Sequence, residues 1–353
     1  MSSPVSVRSD RAVPDWLAGL LGLSRVPREG EAVTAHGRTL VLRDGVLREP
    51  GAASPAQAQT SGVFGFKWQQ RASFESAASL ARMRAWLLER YGDPREAAWL
   101  AKAGGVTVVL DAGCGAGMSV LEFFAPVFDR IRYIGTDISA AVDVARLRFA
   151  ERGIEAGFIQ ADLHALPFPP GSIDVIFAEG VLHHTDSTER ALARLAALLK
   201  PGGWFLFYVY RRKGPIREFT DDFIRARLRD MEPEAAWAAL RPLTQLGQSL
   251  GELGIELEVK EPVDLLGIPA GRIDLQRFFY WHVLKAFYRP DLTVEEMHHI
   301  NFDWYAPVNA HRQSPEEVRR WCAASGLAIL HERVEEAGIT VIARKPDDGS
   351  ADR

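Results

Sequence analysis

Residues 106–120 read VTVVLDAGCGAGMSV, and the way this stretch divides decides the fold. Val106-Thr107-Val108-Val109-Leu110 is an unbroken run of β-branched and apolar residues, the pattern of a strand covered on both faces. The run stops at Asp111 and passes into Gly113-Cys114-Gly115-Ala116-Gly117. Met118, Leu121, Phe123 and Phe124 then recur at helical spacing. Strand, glycine turn and helix in that order bring backbone close to a ligand, with helix N–H groups facing it.

The detail of the turn narrows the ligand. A nicotinamide or flavin fingerprint, GxGxxG, would put its third glycine at position 118, which is Met118. The glycines here run GxGxG, and Asp111 stands two residues before the first. An acid beside the turn repels a pyrophosphate and suits a ligand with an ammonium group and no phosphate. The stretch resembles motif I, [DE]xGxGxG, of the class I S-adenosylmethionine (SAM)-dependent methyltransferases.

Downstream the chain alternates strands and helices, the pattern of a parallel α/β sheet. A second strand over 131–134 ends in Gly135-Thr136-Asp137-Ile138, some twenty residues past the turn, where an acid accepts hydrogen bonds from ribose hydroxyls. A third, near 157–160, ends in Ala161-Asp162-Leu163, and a fourth, Ile173 to Phe177, closes with Ala178-Glu179-Gly180. Leu166-Pro167-Phe168, the following Ser172-Ile173-Asp174-Val175-Ile176 and Leu182-His183-His184 resemble the ubiquinone- and menaquinone-type branch of the same family. The turn Lys200-Pro201-Gly202-Gly203 into a fifth strand, 204–210, is another familiar phrase of that fold.

The resemblance covers about 106–210 and resumes near the end of the chain. Ser314-Pro315-Glu316-Glu317 has the capping pattern of a helix start, and 327–333 and 339–344 read as a closing antiparallel pair. The expected fold is α/β, a doubly wound, mostly parallel seven-stranded sheet with a small N-terminal β extension and a large helical, aromatic-rich insertion after strand five. As domains this gives 1–62 for the extension, 63–210 for a cap helix and the SAM-binding core, 211–313 for a lid, 314–345 for the closing elements and 346–353 for a tail.

Within the extension, short β-prone runs at 32–35, 39–42 and 46–48 flank His36-Gly37 and Asp44-Gly45, a small meander. It is similar in outline to the zinc ribbons ahead of some bacterial methyltransferase domains, but the metal-binding cysteines are absent and no metal is assigned. Residues 49–62, EPGAASPAQAQTSG, read as a linker or a meandering loop. Phe64-Gly65-Phe66-Lys67-Trp68 then leads to a helix over about 73–90. By the resemblance 64–71 caps the cofactor, with Lys67 or Arg71 reaching its carboxylate.

The insertion is too long to be a plain connection and must have structure of its own. Helices are expected over 219–231 and 233–253, and aromatics crowd 275–288 and Phe302, Trp304 and Tyr305. Such a segment forms the wall of an acceptor pocket. The resemblance implies SAM as cofactor, held by Asp111, Gly113, Gly115, Gly117, Asp137, Ile138, Asp162, Leu163, Glu179, Trp68 and Arg71. His183, just past strand four, is the candidate base, with Tyr305 as a second candidate catalytic residue; His298, His299 and His311 stay open.

Composition bounds the rest. The chain has 353 residues, a formal net charge of −4 and two cysteines, Cys114 and Cys322. Nothing marks a nucleic-acid footprint, a disulfide scaffold or a Cys-rich zinc site. No run is apolar enough for a membrane span or a secretory leader, so a cytoplasmic location and no membrane partner are expected. The expected partner is a small-molecule acceptor, and a homodimer is left open. The expected reaction is methylation of an O, N or C atom of a small molecule, a specialised metabolite or quinone-like compound. Two alternatives share the cofactor motifs: chemistry on the aminocarboxypropyl arm with release of methylthioadenosine, and non-catalytic SAM binding.

Overall fold

A computed structural model describes residues 13–347 apart from Ala52, 71–73 and 101–104. Its centre is β4 (Thr107–Ala112), wholly or nearly buried along its length because helices cover both faces. Around it lie β5 (Ile131–Asp137), β6 (Ala156–Gln160), β7 (Ile173–Glu179) and β8 (Leu199–Tyr210), all five strands parallel to one another. The last pair, β11 (Ala328–Val334) and β12 (Gly338–Arg344), adds antiparallel strands, with β12 alongside β8. The order β6-β5-β4-β7-β8-β12-β11 reverses direction between β4 and β7, and a ligand crevice opens at such a switch point.

The sheet has ten strands and not the expected seven. The N-terminal meander, β1 (Ala32–Ala35), β2 (Arg38–Arg43) and β3 (Val46–Arg48), does form, but β3 pairs parallel with β6 and so extends the sheet at its open edge. Leu40, Leu42, Val46 and Leu47 are buried, so the added strands share the core instead of forming a separate knob. His36 sits in the β1–β2 turn with φ 46°.

Helices α4 (Met118–Phe123), α5 (Ala141–Glu151), α6 (Thr188–Leu198) and α11 (Pro315–Ala324) flank the sheet, and α1 (Asp15–Leu20) packs on it from the N-terminal side. Ser314 caps α11 in a full capping box with Glu317. Residues 49–62 are no linker: Ser54 accepts from Gln57 N–H, Pro55 occupies the first turn, and α2 (Pro55–Gln69) follows. Its Ala- and Gln-rich face hid the helix from any periodicity reading, because small and amide side chains replace large apolar ones. The next helix, α3, is Ala77–Tyr91.

The insertion carries α7 (Pro215–Leu228), α8 (Pro233–Glu252), α9 (Leu275–His282) and α10 (Val294–Tyr305), together with a two-stranded sheet, β9 (Glu256–Val259) and β10 (Gly271–Asp274). It is therefore mixed and not only helical. Side chains of α2 bind it to the rest of the molecule. Gln59 donates to Ala306 O at 3.0 Å and accepts from Val308 N–H at 2.9 Å, and Thr60 accepts from Asn309 N–H at 3.2 Å. Among the described residues no helix is long and apolar enough to cross a membrane.

Candidate active site

The parallel strands deliver their C-terminal ends to one side of the sheet, and the glycine turn is fastened there. The N–H groups of Gly113 and Cys114 both donate to Thr136 O on β5, at 2.7 and 2.8 Å. Gly113 has φ +87°, and a Cβ there would lie 2.3 Å from Val181 Cγ1. At Gly115 a Cβ would meet the Trp68 indole at 3.0 Å, so α2 closes over the turn.

Asp137 ends β5 and accepts from Gly115 N–H at 2.8 Å through one oxygen. The other oxygen takes the Ser139 N–H at 2.8 Å and hydroxyl at 2.7 Å. Asp162, after β6, accepts from the His164 N–H and binds its ring at 2.9 Å. Glu179, at the end of β7, pairs with Arg90 and accepts from the Tyr91 hydroxyl.

A cavity of about 690 Å³ lies on these strand ends. One half is walled by Gly113, Gly115, Asp137, Ile138, Asp162 and Leu163, with Glu179 and Trp68 beside them. The other half is walled by Tyr208 and Tyr210 of β8 and, from the insertion, Tyr280, Trp281, Lys285 and Asp303.

Two expected cofactor residues lie outside this wall. Asp111 is buried in the sheet and accepts from the Tyr133 hydroxyl at 2.7 Å; burial lifts its pKa to about 7. An acid inside the sheet, already hydrogen-bonded, does not face an ammonium group across the turn. Gly117 caps α4 with φ +75°, where a Cβ would crowd Ala145 at 3.2 Å and Phe149 at 3.3 Å. It serves the packing of α4 on α5. Arg71 lies outside the described residues, while Lys67 has another partner: its ammonium pairs with Asp303 and sits 4.2 Å from the Trp68 ring centroid.

The catalytic expectations shift by one residue. His183 is fully buried, is not part of the wall, and neither ring nitrogen has a partner among the described residues. Its ring packs on Tyr210 with centroids 3.7 Å apart. His184 is in the wall. Its Nδ1 meets the Asn309 carbonyl at 2.6 Å, and since a carbonyl only accepts, Nδ1 carries the proton. Nε2 is then the lone-pair nitrogen, and it is buried without a partner. Burial lowers the His184 pKa to about 4 and keeps it neutral. Which of two adjacent histidines faces a cavity depends on the short turn Leu182–His184, which spacing alone does not reveal.

Tyr305 is likewise fully buried away from the wall. Its hydroxyl donates to Asp221 at 2.7 Å and accepts from the Lys285 N–H at 2.7 Å. Asp221 also accepts from Arg217 and Trp304, so Tyr305 belongs to a framework inside the insertion. His298 is enclosed between Thr244 and Trp237, His299 is a wall residue, and His311 binds Thr185 O at 3.0 Å.

Reasoning from sequence missed Asp303 and Lys285. Asp303 accepts from Lys67 and, at 2.9 Å, from the Tyr210 hydroxyl. Burial alone would raise its carboxyl, but the Lys67 ammonium holds it well below the ordinary range. No cluster of His, Cys, Asp and Glu suited to a metal occurs among the described residues.

A family profile described as a methyltransferase domain matches residues 110–207, the span from β4 to β8. The uncharacterized methyltransferase YcgJ of Bacillus subtilis is 30% identical over 175 residues, 46% of this chain and 67% of that protein. The chain belongs to the class I SAM-dependent methyltransferases. An uncharacterized protein of Synechococcus sp. is 35% identical to this methyltransferase-family chain over 131 residues, 36% of it and 29% of the relative. The ubiquinone biosynthesis O-methyltransferase of Thiobacillus denitrificans is 36% identical over 107 residues, 30% of this chain and 44% of the relative. The chain spans under half the length of most curated relatives it matches.

The cofactor of this methyltransferase family is SAM, and the residues present fit it. Two positive-φ glycines, Gly113 and Gly115, put bare backbone in the wall, and acids at or just past the ends of β5, β6 and β7 stand on the same wall. The matched span includes the cofactor half and stops before the insertion, so the acceptor half of the methyltransferase cavity has no counterpart in it.

Proposed function

We propose that the protein transfers a methyl group from SAM to an O, N or C atom of a small molecule held between β8 and the insertion. The observation that carries this reading is the continuity of the cavity, which runs from the glycine turn to the aromatic wall without a partition. Asp137, Asp162 and Leu163 hold the nucleoside, Glu179 with Arg90 closes the adjoining side, and Trp68 covers the turn. SAM, when bound, supplies a methyl group made electrophilic by a positively charged sulfur.

The remaining work is alignment and exclusion of water, done by α2 and the insertion. Where the acceptor atom carries a proton, His184 is the wall residue we propose as base: Asn309 holds it in the tautomer with Nε2 unprotonated, and a small turn of the ring must bring that nitrogen to the acceptor. The enclosed aromatic wall and the absence of a basic footprint favour a small acceptor over a nucleic acid.

Mass spectrometry of purified protein incubated with SAM tests the reaction class. The expected result is intact SAM alone and S-adenosylhomocysteine (SAH) once a metabolite extract supplies the acceptor. Methylthioadenosine formed without acceptor would replace this reading with chemistry on the aminocarboxypropyl arm. SAM that neither binds nor reacts would remove it.

A further inference from the structure

The acceptor half of the cavity holds a buried lysine ammonium to which no side chain among the described residues is directly bonded. Lys285 is 7% exposed and faces the cavity between α9 and α10. Its ammonium lies 4.7 Å from the Trp304 ring centroid, and among the described residues no carboxylate pairs with it. The two nearest acids are already spent. Asp303 accepts from Lys67 and Tyr210, while Asp221 accepts from Arg217, Trp304 and Tyr305. Arg217 and Arg225 add further positive charge around the same framework. Burial lowers the Lys285 pKa to about 7, with Arg217 and Arg225 adding to the effect and the more distant charges of Asp303 and Asp221 opposing it.

A buried charge normally comes paired, because leaving water costs several kcal/mol that only a partner offsets. Lys285 is also held firmly where it is. Its N–H donates to the Tyr305 hydroxyl, the Ala286 carbonyl accepts from Gln276 at 2.6 Å, and the Phe287 N–H donates to Asn301 at 3.0 Å. Three consecutive residues are thus tied to buried side chains, which suits a group that must meet a ligand atom. Arg277, on the same wall, spends one guanidinium nitrogen on Tyr288 O and packs over Tyr280 at 5.2 Å. Around these two cations the wall is aromatic: Tyr280 and Trp281 pack edge to face at 4.5 Å, and Phe287 lies 5.9 Å from Tyr280.

We propose that the acceptor is a flat aromatic molecule bearing a carboxylate, and that Lys285, assisted by Arg277, anchors that carboxylate while the ring lies among the aromatic side chains. This deepens the methyl-transfer reading and rests on it. The carboxylate supplies the direct partner that Lys285 lacks and favours its charged form. The anchor fixes one end of the acceptor, so the atom to be methylated is set by its distance from the carboxylate.

Calorimetry on the SAH-loaded protein tests this with matched probes: salicylate, 4-hydroxyphenylacetate and indole-3-acetate, each beside its primary amide. At least one acid should bind tenfold or more tightly than its amide. Lys285→Met should bring that ratio within twofold, Lys285→Arg should keep most of it, and SAH affinity should stay within twofold in both. No acid binding below 1 mM, an amide binding as well as its acid, or a preference that survives Lys285→Met would each overturn the inference. The wild-type comparison stands even if the variants fail to fold. Wild-type protein that does not bind SAH would instead bring down the proposed function.

Discussion

The Asp137 carboxylate and the Gly115 N–H are joined at 2.8 Å, so the acid that ends β5 and the turn that follows β4 hold one another in place. The same carboxylate that we propose holds the ribose is therefore also a brace for the glycine loop.

Replacing Asp137 by Ala removes both roles. SAM affinity measured by calorimetry is expected to fall at least tenfold, while far-ultraviolet circular dichroism stays that of the wild type. Unchanged affinity would sink Asp137 as the ribose acid.

Gly113→Ala should destabilise the fold itself. The new methyl would lie 2.3 Å from Val181 Cγ1 on a backbone of φ +87°. Overpacking and the left-handed penalty together cost about 2–4 kcal/mol. Urea unfolding reads the loss, and adding Val181→Ala should return much of the steric part, since Val181 Cβ stays 2.9 Å from the new methyl, while leaving the backbone part.

The two adjacent histidines should behave oppositely. His184→Asn is expected to lower kcat about 100-fold or more, the usual worth of a positioned base, with SAM affinity within twofold of wild type. His183→Phe should keep at least a tenth of the turnover despite some loss of stability from the larger ring, since the buried ring it replaces makes no hydrogen bond among the described residues. Normal turnover in His184→Asn would remove that residue as the base.

His298 should leave a pH signature. It is fully buried and neutral, with Thr244 on Nδ1 at 2.8 Å and the Trp237 carbonyl on Nε2 at 2.9 Å, and burial lowers its pKa to about 4. Between about pH 6.5 and pH 4 the unfolded chain binds this proton and the folded chain does not, so stability falls as the pH drops through that window. Above it the contribution is fully present. The group accounts for on the order of 3 kcal/mol of that fall. Asp111, held protonated up to about pH 7, works in the other direction, so the informative quantity is a difference between proteins. His298→Gln should unfold more easily at pH 8 and show a shallower decline towards pH 4; an unchanged slope in urea midpoints would contradict the assignment.

The α/β core could be read from residues because each of its signals is local. The β-branched run before Asp111, the glycines after it and the acids closing β5, β6 and β7 each occupy a few consecutive positions. Strand-end placement then puts Asp137, Asp162 and Glu179 together without knowledge of the rest. Three things were not local. The meander joined β6 through a pairing between residues over a hundred positions apart, which nothing in 32–48 announces. The helix over Pro55–Gln69 has no apolar stripe to reveal it. Lys285 and Asp303 matter because of which neighbours are already engaged, and that is a property of the assembled network. Asp111 shows the reverse case, a residue in the right motif position whose hydrogen bond to Tyr133 turns it into part of the sheet.

The hydrogen bonds from Gln59 and Thr60 to 306–309, and the pairing of Lys67 with Asp303, have a consequence for anyone wishing to exchange acceptors between relatives. The segment that we propose selects the acceptor is not a cassette bounded by β8 and α11. A transplant of 211–313 alone would arrive without the side chains that seat it, and would leave Asp303 without its lysine and tyrosine partners. Specificity here is portable only as a pair, α2 together with the insertion, and a chimera that moves both should inherit the donor's acceptor while keeping the recipient's nucleoside site.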